Sequence, residues 1–437
     1  MNKLAIKMTA VASMAIVGSV AWAAEDPVPE VTSVTMTQVN RRKVTIDYTL
    51  ANAPAVITLD IETNGPNGWV SIGGEHIQNV TGDCWIKVAA DTHSITWDPS
   101  ADWPDHKVEA NGCRAVVKAW ALDNPPDYMA VDISASATQG DIRWYPNAES
   151  VPGGVLSNKA YRTTTLLLRK IPAKNVTWTM GSVHETDRTS DREATHTVTL
   201  ADNYYIGVFE ITQSQWDLVN TPRLVASVFT MERSMRPVDY VCYYELRCYK
   251  DYNKSGPLGG VYPEPPYGES YLGLLRTKTG LAFDMPSEAQ WEFACRAGNG
   301  EGYWGDGSPY SGSPADSNLP GRYSRNGGSY PADYKVGPTN GTAIVGSYAP
   351  NSWGIYDMHG NVREYVLDMF AKNISSLGGA VNTASASTVV VRGGYISAGS
   401  ADCRSAYRGD EAPNKRVVGS GIRVACPARC PTAFPDF

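Results

Sequence analysis

The chain has 437 residues, of which 42% are hydrophobic and 19% charged, and a formal net charge of −7. Mild acidity without any basic run leaves a nucleic-acid partner no electrostatic footprint. The length exceeds what one hydrophobic core usually covers, so two or more domains are expected.

Residues 1–24 read as a cleaved secretory signal. Lys3 and Lys7 form its basic start, Met8 to Val20 its apolar run, and Ala21-Trp22-Ala23 its small-residue cleavage site. No later stretch offers the roughly 18–20 uncharged apolar residues of a membrane span, so no transmembrane segment is expected. The mature protein is therefore expected to be secreted, periplasmic or held at the cell surface.

From Val31 to about Ser134 apolar and polar residues alternate in short runs: VTSVTMTQV, KVTIDYTL, VITLDIET, WVSIGG, HSITWD, RAVVKAWAL and YMAVDIS. Turn signals such as Asn64-Gly65-Pro66 and Asn124-Pro125-Pro126 separate them. Short strands at this spacing predict an all-β sandwich of immunoglobulin or fibronectin III type over residues 25–137. Cys84 and Cys113 are its only thiols and are expected to pair in an oxidising compartment. Residues 138–160 mix Ser, Gly, Asn and Pro without periodicity and read as a linker.

Beyond the linker two helices are locally signed. Thr212 stands three residues before Gln215 in ITQSQWDLV, and Ser287 three before Gln290 in MPSEAQWEFACRAG. Both have capping-box spacing, with Gly298 as the expected stop of the second. Periodicity sends Ala289, Phe293, Ala294 and Cys295 to a core, and Glu288, Glu292 and Arg296 to solvent or a loop. Neither an HExxH string nor a CxxC pair occurs, which removes support for a zinc site.

Six blocks then arrive in a family-like order: WTMGSVHETDRTSDREATHTVTLADNYYIGVFEITQSQW, RPVDYVCYY, MPSEAQWEFACRAG, YWGDG, APNSWGIYDMHGNVREYVLD and VVRGGYISAGSADCRSAYRGDEAPNKRVVGSGIRVA. Together they resemble the formylglycine-generating enzyme, or sulfatase-modifying factor, family. The resemblance implies an α+β domain of C-type lectin-like fold over residues 161–428, followed by a tail at 429–437. A loop-rich fold of that kind agrees with 40 Gly, 28 Pro and 24 Tyr.

In catalytic members a copper ion held by two thiolates oxidises a substrate cysteine with oxygen. The first ligand lies four residues after the RGG-type glycines and the second five further on. Counting from Gly394 gives Ala398 and Cys403, whereas counting back from Arg404–Arg408 gives a different answer, because the loop between these anchors is shorter than in catalytic members and is rebuilt. Alanine cannot bind a metal, so copper is not supported and Cys403 is the one residual catalytic candidate.

The resemblance also implies bridges. Cys295 on the helix is expected to reach Cys403, and Cys248 to reach Cys426, leaving Cys242 and Cys430 as a third pair. Family members hold calcium with an Asn and a Glu of a GNxxE string, which correspond to Asn361 and Glu364, and Asn318 is the counterpart in a second site. Oxygen donors of this kind suit a hard cation. The segment around Tyr395, Asp402, Arg404 and Arg408 is the expected ligand loop.

The leading expectation is a non-catalytic, exported binding or scaffold module whose partner is a protein or glycan of the cell envelope. One alternative is an active oxidoreductase acting on sulfatases or another substrate through a redesigned site at Cys403. The other is a ligand-diversified, lectin-like surface receptor.

Overall fold

The computed structural model describes residues 27–430 apart from 107, 109–111, 186, 190, 221–226, 228, 230–231, 249–264, 312–315, 328–339 and 385. The signal segment and residues 431–437 of the expected tail lie outside the described residues. No described helix is long and apolar enough to cross a membrane.

The N-terminal unit is built from β1 (Glu30–Asn40), β2 (Lys43–Ala51), β3 (Ala55–Gly65), β4 (Gly68–Ser71), β5 (Val80–Gly82), β6 (Lys87–Val88), β7 (Thr92–Trp97), a short helix α1 (Pro99–Asp102) and β8 (Cys113–Trp120). Two antiparallel sheets result, one in the order β1-β2-β7-β5 and one in the order β4-β3-β6 with β8 also on β3. The alternation in β2 does what period 2 predicts: Val44, Ile46, Tyr48 and Leu50 are buried, and they join Ile57, Leu59, Ile61 and Trp97 in one core.

Two expectations for the next segment are corrected. YMAVDIS, read as a sandwich strand, forms β9 (Tyr128–Asp132), which lies between β10 (Ile142–Tyr145) and β11 (Thr165–Ile171) in a five-stranded sheet with β14 and β19. The expected linker carries β10 and buries Ile142, Trp144, Tyr145 and Val151. Isolated β-strands cannot show which sheet they join, because the choice is made by partners far along the chain. Here those partners also fix the crossover from β8. Lys170 Nζ donates to the carbonyl of Pro125 at 2.5 Å, and the Tyr205 hydroxyl donates to that of Pro126 at 2.5 Å.

The C-terminal unit continues with β12 (Val176–Met180), β13 (His196–Leu200), β14 (Tyr204–Gly207), α2 (Gln213–Val219), α3 (Tyr271–Thr279) and α4 (Glu288–Arg296). Then come β15 (Arg363–Met369), β16 (Val389–Arg392), β17 (Gly409–Glu411), β18 (Ser420–Gly421) and β19 (Ala425–Pro427). Both expected capping boxes are formed, Thr212 with Gln215 and Ser287 with Gln290. The second helix ends on Ala297 in a left-handed conformation, one residue before the expected Gly298. Trp216, Trp291 and Trp304 are buried, and the Trp216 ring stacks on Tyr271 at 4.2 Å. Burying about 200 Å² of each indole contributes roughly 5 kcal/mol before entropy is counted.

Helix α4 departs from its amphipathic reading. Glu288, Glu292 and Arg296 are buried rather than solvated. Arg392 at the end of β16 pairs with Glu292, Arg408 donates to Glu288 at 2.6 Å, and Arg296 bonds Glu292 at 2.9 Å. Buried charges persist only when paired in this way. The network ties α4 to the sheet β17-β16-β15-β18, whose strand β16 runs into the loop at Gly393.

Candidate functional site

The loop after β16 turns sharply. Gly394 has φ 70°, and a Cβ there would lie 2.6 Å from Cys403 Sγ, so the backbone must pass close to that thiol. A short 3-10 turn, Ser400–Cys403, follows. Ala398 is buried and its carbonyl accepts from the Ser324 amide at 3.1 Å. Cys403 is wholly buried among Trp304, Leu319, Tyr323 and Ala398, with its thiol directed at the Gly399 carbonyl 3.5 Å away. Burial pushes that thiol well above its ordinary range, which disfavours the nucleophilic thiolate.

No disulfide is seen among the described residues: Cys84, Cys113, Cys248, Cys295, Cys403 and Cys426 of the expected bridges, with Cys242 and Cys430, are all buried. Cys295 Sγ lies 3.4 Å from Ser405 Oγ and 3.7 Å from His359 Nε2, with the thiol pushed up to about 12 by burial. His359 is no base for it. Its Nε2 accepts from the Gly305 amide at 2.9 Å, which leaves the proton on Nδ1, and Nδ1 donates to the Cys403 carbonyl at 2.8 Å. Burial lowers the imidazole to about 4, so the ring is neutral.

The expected calcium ligands do not fit a cation. Both Glu364 oxygens face donors: Arg423 reaches Oε1 at 2.8 Å, and the Trp291 indole N–H reaches Oε2 at 2.6 Å. Asn361 Oδ1 accepts from the Ala343 amide at 2.8 Å, and its Nδ2 donates to Glu210 at 2.6 Å. Both ends of the Asn361 amide are thus engaged by protein groups. Asn318 is exposed, and its side chain donates to the Pro309 carbonyl at 3.1 Å. Among the described residues no group of three or more His, Cys, Asp or Glu is placed to hold a metal ion. Burial, together with repulsion from Asp357 and Glu364, raises Glu210, and burial raises Asp357 to about 6.

The expected ligand loop divides. Arg404 and Arg408 turn inward: Arg404 is clamped by Glu185 and by Glu193 at 2.8 Å, while Arg408 takes both Glu288 oxygens. Tyr395 and Asp402 line a cleft of about 130 Å³ together with Arg192, Arg363, Tyr407 and Asp410. Arg192 is delivered by the acidic loop that Arg404 holds down, and Arg408 fixes its carbonyl at 3.0 Å. Arg363 comes from β15, its guanidinium 5.4 Å from the centre of the Tyr395 ring. Sequence reasoning missed Arg192, Arg363, Tyr407 and Asp410 as site residues, although all four stand inside strings that it quoted, SDREATH, GNVRE and RSAYRGDE. A larger cavity of about 510 Å³ lies away from this loop, bordered by Lys174, Asp202, Arg276, Asp284 and Arg429. Its Asp284 is bound by Arg247 at 2.8 Å and by Arg276 at 3.1 Å.

Residues 169–428 match the family model described as a sulfatase-modifying factor enzyme 1-like domain. Among solved structures, Treponema denticola variable protein 1 is 21% identical, with 60% of this chain and 96% of that chain covered at a TM-score of 0.43. PvdO from Pseudomonas aeruginosa is 25% identical, with 60% and 94% covered at a TM-score of 0.44. CarF is 16% identical, with 60% and 98% covered at a TM-score of 0.34. No curated protein matches.

Proposed function

The chain belongs to the family of sulfatase-modifying factor enzyme 1-like domains, and on that premise we propose that it is an exported binding or scaffold module without copper-dependent cysteine oxidation. The single observation that carries this reading is the loop after Gly394. It has Ala398 at the first thiolate position, and its remaining thiol, Cys403, is fully buried under Trp304, Leu319 and Tyr323. Two thiolates open to a substrate sulfur are the minimum for the family's copper chemistry, and one buried, protonated thiol does not supply them.

An oxidising site rebuilt around Cys403 would need the thiol to ionise and a base to take its proton. His359 has both ring nitrogens committed, and Cys295 is itself buried and protonated. Binding, by contrast, needs only an accessible concave surface with fixed polar groups, and the cleft at Tyr395 and Asp402 meets that requirement. The partner in this reading is a protein or glycan of the cell envelope. In the same reading the N-terminal pair of sheets is a domain of immunoglobulin or fibronectin III type that spaces the binding unit. Peptide mass spectrometry of a sulfatase-type cysteine substrate tests the proposal: formation of an aldehyde overturns it.

A further inference from the structure

The cleft's two arginines and two aspartates are unequally paired. Arg192 meets Asp410 at 2.7 Å, and Arg363 meets Glu411 at 2.6 Å while also donating to Ser420 at 2.8 Å. Each guanidinium therefore has its own carboxylate, and the field of such a pair falls off quickly into the cleft.

Asp402 is different. Among the described residues it forms no ion pair, and it lines the cleft together with Tyr407. Arg404, two residues on, spends its donors on Glu185, Glu193 and the Asp187 carbonyl. Arg404 makes no ion pair with Asp402, although its charge steadies that carboxylate more than Glu193 repels it. Burial pushes its carboxyl above the ordinary range, and Arg404 nearby opposes that rise. Tyr395 and Tyr407 line the same wall. The cleft, at about 130 Å³ against about 510 Å³ for the larger cavity, suits a compact head group better than an extended chain.

We propose that this cleft binds a primary ammonium group, with Asp402 as its counter-ion and the walls of Tyr395 and Tyr407 around its alkyl stem. An ammonium is a small point charge with three donors on a flexible stem, whereas a guanidinium is a broad planar fork. Its positive charge also gains from aromatic faces. The inference rests on the cleft being a binding site; it concerns which ligand enters, not whether a cysteine is oxidised.

Calorimetric titration of the full mature chain at low ionic strength decides it. Nα-acetyl-lysinamide is compared with Nα-acetyl-norleucinamide, which is alike in length but uncharged, and with n-butylamine. The lysine compound should bind saturably and the norleucine compound should not. Asp402→Asn should weaken binding by about tenfold or more, while Asp410→Asn, which removes an aspartate already held by Arg192, should weaken it less. Butylamine binding as tightly as the lysine compound would identify free amines as the source, and weaker binding would identify a lysine carried on a protein. Equal binding of the norleucine compound, no binding of the lysine compound into the millimolar range, or unchanged binding by Asp402→Asn overturns the proposal. If Asp402→Asn lowers the melting temperature, the lysine and norleucine comparison on unmodified protein still decides. Failure here leaves the turnover assay untouched, so the two readings fail separately.

Discussion

His359 donates from Nδ1 to the Cys403 carbonyl at 2.8 Å and accepts at Nε2 from the Gly305 amide at 2.9 Å. The imidazole thus fastens the end of the ligand loop to the Trp304 segment, and it is a structural clamp with no lone pair to spare. Replacing His359 by Ala strands a buried donor and a buried acceptor. At about 1–3 kcal/mol for each group, the loss of stability should reach about 2 kcal/mol or more, read by denaturant unfolding.

The same residue predicts a pH dependence. Its folded-state value of about 4 lies below the ordinary 6.5, so the unfolded chain binds more protons between those values. Stability from this group is complete above pH 6.5 and is lost as pH falls toward 4, by up to about 3 kcal/mol. Asp357 and Asp368, raised to about 6 and about 7 chiefly by burial, act with the opposite sign over an overlapping range. The difference between the unmodified protein and His359→Gln isolates the histidine. The unmodified protein should lose more stability than the variant on acidification, and parallel curves would show that His359 is not buried neutral.

Arg404 holds Glu185 and Glu193 together in a region closed to water. Arg404→Ala leaves two buried carboxylates facing each other and should cost about 3–5 kcal/mol. Because the clamped loop carries Arg192, the cleft should be disturbed as well. Unfolding curves within about 0.5 kcal/mol of the unmodified protein would show that the loop is held by other contacts.

Much of this architecture can be read from local signals. Thr212 with Gln215 and Ser287 with Gln290 mark their helix starts because capping is settled within four residues. The alternation in KVTIDYTL marks β2 for the same reason. What stayed hidden depends on distant partners. Glu288 and Glu292 look solvent-facing until Arg408 and Arg392 arrive from about a hundred residues further along. Tyr128–Asp132 looks like a sandwich strand until β11 pairs with it. The cleft stayed hidden as well, because Arg192 and Tyr395 meet only in the folded chain.

The calcium expectation also becomes a measurement. Asn361 and Glu364 spend their oxygens on N–H donors. Among the ionisable groups of that cluster, Asp357 Oδ1 is the buried side-chain oxygen with no hydrogen-bond partner. Chelation should leave the melting temperature unchanged. Asn361→Ala should lower it with or without chelator, by breaking the bond to Glu210. A melt that falls on chelation, and recovers with added calcium, would show that these side chains rearrange around an ion.

The central claim is that the loop carrying Ala398 and the buried Cys403 does not oxidise a cysteine. The direct measurement incubates the mature protein with a sulfatase-type cysteine peptide, copper and oxygen, and follows the peptide by mass spectrometry. The account predicts that the cysteine keeps its mass beyond the no-enzyme control, and that Ala398→Cys does not restore turnover because Cys403 stays buried against Trp304. An aldehyde product formed by the unmodified protein and abolished by Cys403→Ser would contradict it.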